Sequence, residues 1–246
     1  MNSFALEILN RGTVETSAGE FVPLHSNTSP EQAEFLVDQI RHIQAAVSIE
    51  IGLAYGISAL CISDAIRDRP AARHHVIDPF QLTESWNGLG LKNLERAGLR
   101  NLCEFYPEPA QTCLARLVTQ GLKIDFAYID AGKRMDDILI FTHFISQMLR
   151  VGGRIAYDDV CFPGIRKALR YLVQEPQFRV VAVFQAEPVT LKRQAVHRLA
   201  TLIPGADQLF APELLQTNHQ LGISGRCVVL EKVSDESGDW QWHPEF

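Results

Sequence analysis

Between Val47 and Asp159 the sequence switches back and forth between short runs of strand-forming residues and longer stretches with helical spacing. That alternation is the mark of βαβ units and points to an α/β fold around a mainly parallel sheet. The spacing predicts strands over Val47–Gly52, His74–Asp78, Leu102–Phe105, Phe126–Asp130, Arg154–Asp158, Arg179–Phe184 and Cys227–Glu231. Helices are expected at Ser58–Arg67, Trp86–Ala97, Ala110–Gln120, Asp136–Leu149 and Ile165–Gln174, the fourth stopping at Gly152-Gly153. Ahead of the first strand, Ser29-Pro30-Glu31-Gln32 supplies an N-cap, a proline at the first helical position and a capping-box glutamine. An entry helix follows, with Phe35, Leu36, Ile40 and Ile43 on one face. The chain thus divides into an N-terminal segment and entry helix, 1–46, a candidate lid, and a main domain, 47–246. Within the latter, about forty residues, 186–225, exceed an ordinary connection and form an expected insertion for substrate binding or self-association.

With 246 residues, 46% of them hydrophobic, one large core is affordable. A net charge of -6 repels the polyanionic backbone of nucleic acid, so that class of partner is not expected. No run approaches a membrane span, and Met1 to Asn10 lacks a basic leader pattern; a cytoplasmic protein is expected. Cys61, Cys103, Cys113, Cys161 and Cys227 have no metal-ligand spacing and read as reduced, mostly buried thiols.

The run from Ser48 to Ser58, SIEIGLAYGIS, puts Glu50 on a buried strand, Gly52 and Gly56 in the turn, and a hydroxyl at the start of the next helix. Neither the dinucleotide spacing GxGxxG nor the P-loop spacing with its lysine is present, so phosphate is not the evident ligand. The pattern acidic-x-Gly-x-x-x-Gly resembles the first motif of the class I S-adenosylmethionine-dependent methyltransferases. The resemblance implies a Rossmann-like seven-stranded sheet of order 3-2-1-4-5-7-6, last strand antiparallel, with helices on both faces. It further implies that Gly52, Tyr55 and Gly56 approach the cofactor's amino-acid portion. Glu50 would fix its ammonium directly or through the loop, and Ser58 would contact the carboxylate or cap the helix. Asp78, in Ile77-Asp78-Pro79, would accept the ribose hydroxyls, and Ala110-Gln111 would frame the adenine.

The fourth strand ends in Tyr128-Ile129-Asp130-Ala131-Gly132-Lys133 and the fifth in Tyr157-Asp158-Asp159. Neighbouring strand tips bring these acids to one rim, where uncompensated anions call for a cation, and hard oxygen donors suit Mg²⁺ or another divalent ion. Here the resemblance is to catechol O-methyltransferase-type enzymes and antibiotic-tailoring O-methyltransferases. It implies Asp130, Asp158 and Asp159 as metal ligands, Asp130 also at the cofactor, and Lys133 as the base that deprotonates a small-molecule hydroxyl, its pKa lowered by burial and the ion. Ala131 replaces a frequent glycine of that pattern, and Phe141 stands where the tailoring group often has aspartate. His25 is a further candidate base; Tyr55 and Trp86 are candidate walls for a ring substrate, although packing accounts for Trp86 equally well. The tail residues Trp240, Trp242 and Phe246 suggest packing on the domain or a homodimer contact. Three further readings stay open at this point: a noncatalytic binding or assembly protein on the same fold, a metal-independent methyltransferase, and a nicotinamide-dependent oxidoreductase, the last opposed by the missing GxGxxG.

Overall fold

A computed structural model describes residues 1–187 and 216–236. Its centre is a seven-stranded sheet built from β3 (Val47–Ile51), β4 (Arg73–Ile77), β5 (Cys103–Tyr106), β6 (Ile124–Ile129), β7 (Leu149–Tyr157), β8 (Phe178–Phe184) and β9 (Cys227–Lys232). The order is β5-β4-β3-β6-β7-β9-β8, and β9 runs antiparallel to both its neighbours. Numbered from β3, this is the expected 3-2-1-4-5-7-6 arrangement. The strands β3, β6 and β9 are buried on both faces, which is why these segments read as apolar runs, whereas the edge strands β5 and β8 are partly exposed.

On one face lie α2 (Pro30–His42) and α3 (Ile57–Ile66), whose Leu36, Ile40, Ile62 and Ile66 pack on Phe126, Tyr128, Ala156 and Val229. On the other lie α5 (Ala110–Thr119), α6 (Met135–Met148) and α7 (Pro163–Leu172), covering Ile49, Ile51, Ile129 and Ile155. Alternate residues of β6 therefore serve opposite layers, as strand geometry demands.

The entry helix α2 begins as its sequence predicts: the Ser29 hydroxyl oxygen accepts from the Gln32 N–H at 3.2 Å, with Pro30 in the first turn. The reciprocal half of the capping box is absent, because the fully buried Gln32 side chain is drawn to the Tyr128 hydroxyl instead. Ahead of the entry helix, the N-terminal segment forms α1 (Ser3–Arg11) and a hairpin of β1 (Thr13–Glu15) and β2 (Phe21–Pro23). The hairpin is tied to α4 (Leu89–Arg96) by Lys92 donating to the Thr16 carbonyl and Arg96 to that of Glu15, both at 3.0 Å. That helix starts three residues later than predicted, because Thr83 to Asn87 close a turn on Phe80 and Thr83 carbonyls. Gly152-Gly153 does not stop α6. The helix passes directly into β7 at Leu149, and Gly152, at φ 79°, lies in a bulge where β7 carries extra residues between the Ile124 and Phe126 pairings. Most of the expected insertion, 188–215, and the aromatic tail, 237–246, lie outside the described residues.

Candidate active site at the strand tips

The parallel ladder runs past the last residue of each central strand. Gly52 N–H donates to the Ile77 carbonyl at 2.9 Å, Asp78 to Tyr106 at 3.1 Å, Asp130 to Ile51 at 3.0 Å and Asp158 to Ile129 at 3.0 Å. These bonds set Asp78, Gly52, Asp130 and Asp158 side by side along one carboxyl edge, on both sides of β3, where the strand order reverses and open α/β sheets bind ligands. The sequence-predicted motif residues therefore share one rim.

The glycine turn is held from several directions. Gly52, at φ 96°, allows the chain to pass Ala131 and the Asp130 carbonyl, which a Cβ there would meet at 3.1 and 3.2 Å. Gly56, at φ 78°, caps α3 and faces the Gly90 backbone, which a Cβ would meet at 3.0 Å. Asp78 spends its carboxylate largely on this loop, accepting from Leu53 N–H at 3.0 Å and from Phe80 N–H at 2.8 Å. Gln81 and Asn93 were not foreseen: both are fully buried, and their amides donate at 2.9 Å to the Ala54 and Tyr55 carbonyls, clamping the turn to α4. Gln81 reads as an ordinary loop residue and Asn93 as a polar position of the expected helix, so nothing in the sequence marked them.

Glu50 is fully buried, and its two oxygens are occupied by the Ser58 hydroxyl and by His74 Nε2, the latter at 3.0 Å. His74 Nδ1 lies 2.9 Å from the Ser48 hydroxyl. With both oxygens so engaged, Glu50 ties the first turn of α3 to β3 and β4. Ser58 makes no capping bond and serves Glu50. The Tyr55 ring is turned away from the turn into an aromatic group with exposed His25 and half-buried Trp86, at centroid distances of 5.3 and 5.1 Å. His25 also stacks on Trp86 at 5.2 Å. Ala110 and Gln111 open α5 just past the tip of β5, Ala110 buried and Gln111 exposed.

The acidic tips meet a cation supplied by the chain. Lys133 Nζ lies 3.2 Å from Asp130 Oδ1 and 2.7 Å from Asp159 Oδ2. Asp158 faces inward: its Oδ2 accepts from the Tyr128 hydroxyl at 2.9 Å and its Oδ1 from the Asp159 N–H at 2.7 Å, with Arg226 Nε 4.0 Å from Oδ1. Two of the three expected ligands therefore converge, and among the described residues no three His, Cys, Asp or Glu side chains form a ready metal cage. Burial and the nearby Asp158 charge raise the Asp130 carboxyl above its ordinary range against the opposing pull of Lys133. Burial alone would lower the Lys133 pKa, but Asp130 and Asp159 outweigh it and hold the ammonium above its usual value. The expected lowering of that pKa invoked a bound ion as well as burial; in the protein alone the pairing outweighs desolvation. Phe141 packs against Gly132, whose φ of 70° and missing side chain leave room for the ring.

A methyltransferase-domain family matches residues 49–160, from β3 through Asp159. Caffeoyl-CoA O-methyltransferase 2 of Petunia hybrida is 27% identical over 190 residues, covering 68% of this chain and 76% of that protein. Caffeoyl-CoA O-methyltransferase 1 of Nicotiana tabacum is 29% identical over 156 residues, 58% of this chain and 62% of that protein. Among solved structures, an O-methyltransferase from Bacillus cereus in complex with SAH superposes with a TM-score of 0.61 at 22% identity, covering 76% of this chain and 86% of that one. TomG from Streptomyces achromogenes, an O-methyltransferase in complex with SAM, gives 0.60 at 18% identity, covering 85% and 82%. At these identities the structures speak to the fold. The chain thus matches a methyltransferase domain over residues 49–160, is similar in sequence to plant O-methyltransferases, and shares the fold of solved O-methyltransferases.

Proposed function

We propose that the protein transfers the methyl group of S-adenosylmethionine to a hydroxyl of a small molecule, assisted by a divalent cation. The observation that carries this reading is the alignment of the glycine turn, Asp78, Asp130 and Asp158 on one edge, with Lys133 and Asp159 beside them. In this reading the Gly52–Gly56 backbone receives the cofactor's amino-acid end, with Tyr55 contributing its main chain, and Glu50 and Ser58 stiffen the first turn of α3 behind it. Asp78 offers its remaining lone pairs to the ribose while keeping the turn closed, and Ala110 and Gln111 border the base.

The ammonium of Lys133 tests whether a cation fits here: two carboxylates from adjacent strand tips already converge on one positive centre. Asp130 and Asp159 fit a Mg²⁺-like ion that keeps several waters, with Asp158 behind them. Such an ion would supply Lewis-acid polarisation of the acceptor hydroxyl. Lys133 can take the hydroxyl proton only in a state where Asp130 and Asp159 no longer hold it as the ammonium. The attacking oxygen then takes the methyl carbon in line as the C–S bond breaks and S-adenosylhomocysteine leaves as a neutral thioether, and rate comes chiefly from orientation by the glycine turn and the acidic rim. The plant relatives, named for caffeoyl-CoA, favour a small aromatic acceptor.

The test is methyl transfer from labelled S-adenosylmethionine to a panel of phenols, catechols and aliphatic alcohols, with Mg²⁺ and with chelator. Stoichiometric S-adenosylhomocysteine and methyl ether, lost with chelator, are expected. Turnover unaffected by chelator contradicts the metal, and transfer to nitrogen or carbon alone contradicts the hydroxyl acceptor.

A further inference from the structure

Two buried groups outside the proposed reaction, Gln32 and Tyr128, form a line that ends on Asp158 of the acidic rim. Gln32, in the first turn of α2, donates its amide N–H to the Tyr128 hydroxyl oxygen at 3.2 Å, and that hydroxyl donates to Asp158 Oδ2 at 2.9 Å. Asp158 Oδ1 in turn accepts the N–H of Asp159 at 2.7 Å. Gln32 and Tyr128 are completely buried and Asp158 is 4% exposed. Gln32 and Tyr128 donate in sequence toward the rim, so the first bond polarises the second, and Asp158 accepts at both oxygens, from Tyr128 on one side and from the Asp159 N–H on the other.

Next to Asp158 stands a strained residue. Asp159 has φ 54°, a left-handed backbone unfavourable for a non-glycine side chain, and from that conformation its Oδ2 reaches Lys133 at 2.7 Å. Strain of this kind persists only where surrounding contacts over-determine it. Here Asp158 supplies that contact through Asp159's own N–H, and Tyr128 holds the other oxygen of Asp158.

We infer that Gln32 and Tyr128 are positioning residues for methyl transfer: through Asp158 they fix the turn that aims Asp159 at Lys133. The two consecutive aspartates divide the work, Asp158 as the anchored strut and Asp159 as the group facing the reaction. The helix that precedes the methyltransferase core is thereby part of its active-site support. This inference rests on the methyl-transfer reading.

Its test uses the full chain. Tyr128→Phe keeps the ring and deletes only the hydroxyl; kcat should fall at least tenfold while the KM for S-adenosylmethionine stays within twofold and thermal unfolding stays cooperative. Gln32→Glu should also lose at least tenfold, because two carboxylates then face a hydroxyl with one proton. Adding Asp158→Asn to Gln32→Glu lets the line run in reverse and should recover at least fivefold over Gln32→Glu alone, which loss of packing cannot do. Wild-type kcat in Tyr128→Phe, or a double variant no faster than Gln32→Glu, overturns the inference. If the wild-type chain transfers no methyl group, the functional reading fails. The inference is then decided by a crystal structure of Tyr128→Phe, in which Asp159 should leave its left-handed conformation and Lys133; retention of both overturns it.

Discussion

Single residues in this protein show how burial turns ordinary groups into specific ones. His75 is buried with Nδ1 2.9 Å from the Tyr106 hydroxyl, and burial pulls its pKa from the usual 6.5 to about 4. The folded chain then resists a proton that the unfolded chain accepts. The stability is therefore fully present above pH 6.5 and is lost as pH falls toward 4, by up to about 3 kcal/mol. Urea unfolding at pH 7 and pH 4.5 should show this drop in the wild type and a smaller one in His75→Gln; equal drops contradict the assignment. Gly52→Ala forces a Cβ into a left-handed site 3.1 Å from Ala131 Cβ. It should cost about 1–2 kcal/mol of stability and weaken S-adenosylhomocysteine binding more than tenfold by calorimetry. Gly52, Gly56 and Asp78 were legible because their spacing is itself the motif. The partnership of Glu50 with His74 was not, because a histidine pair opening a strand looks like any other half-buried strand start.

The elements divide by whether a periodic signal existed to read. Short strand-forming runs mark all seven sheet strands, and each was placed within a few residues of its observed position, except that β7 begins five residues early because the Gly152 bulge extends it. The β1–β2 hairpin escaped because each strand has three residues, and of the six only Val14 is buried, too few for alternation to show. The start of α2 was legible from chemistry rather than periodicity, through the Ser29 cap and Pro30. Ser29→Ala should therefore cost about 1 kcal/mol in urea unfolding while leaving cofactor affinity unchanged, since the cap bond lies outside the glycine turn. A loss of affinity would mean that α2 helps shape the cofactor site beyond the contact that Gln32 makes.

At the scale of the molecule, the reversal of strand order beside β3 makes the site. It puts β4 on one side and β6 on the other, so that residues as distant in sequence as Gly52, Asp78, Asp130 and Asp158 become neighbours on one edge. The βαβ rhythm points to a mainly parallel sheet and the family resemblance implies its strand order, which together allowed the rim to be anticipated from sequence. The balance of charge within the rim could not: whether three carboxylates leave room for a metal or recruit Lys133, Tyr128 and a backbone N–H depends on side-chain geometry. The described helices include none long and apolar enough to cross a membrane. The central claim is that the tips of β3 and β4 form the S-adenosylmethionine site, and calorimetric titration of S-adenosylhomocysteine into wild type, Gly52→Ala and Asp78→Asn tests it most directly. Micromolar binding by wild type, weakened more than tenfold in both variants while their far-UV circular dichroism is retained, is the predicted result; folded wild-type protein without heat of binding, or variants that bind as tightly as wild type, would contradict it.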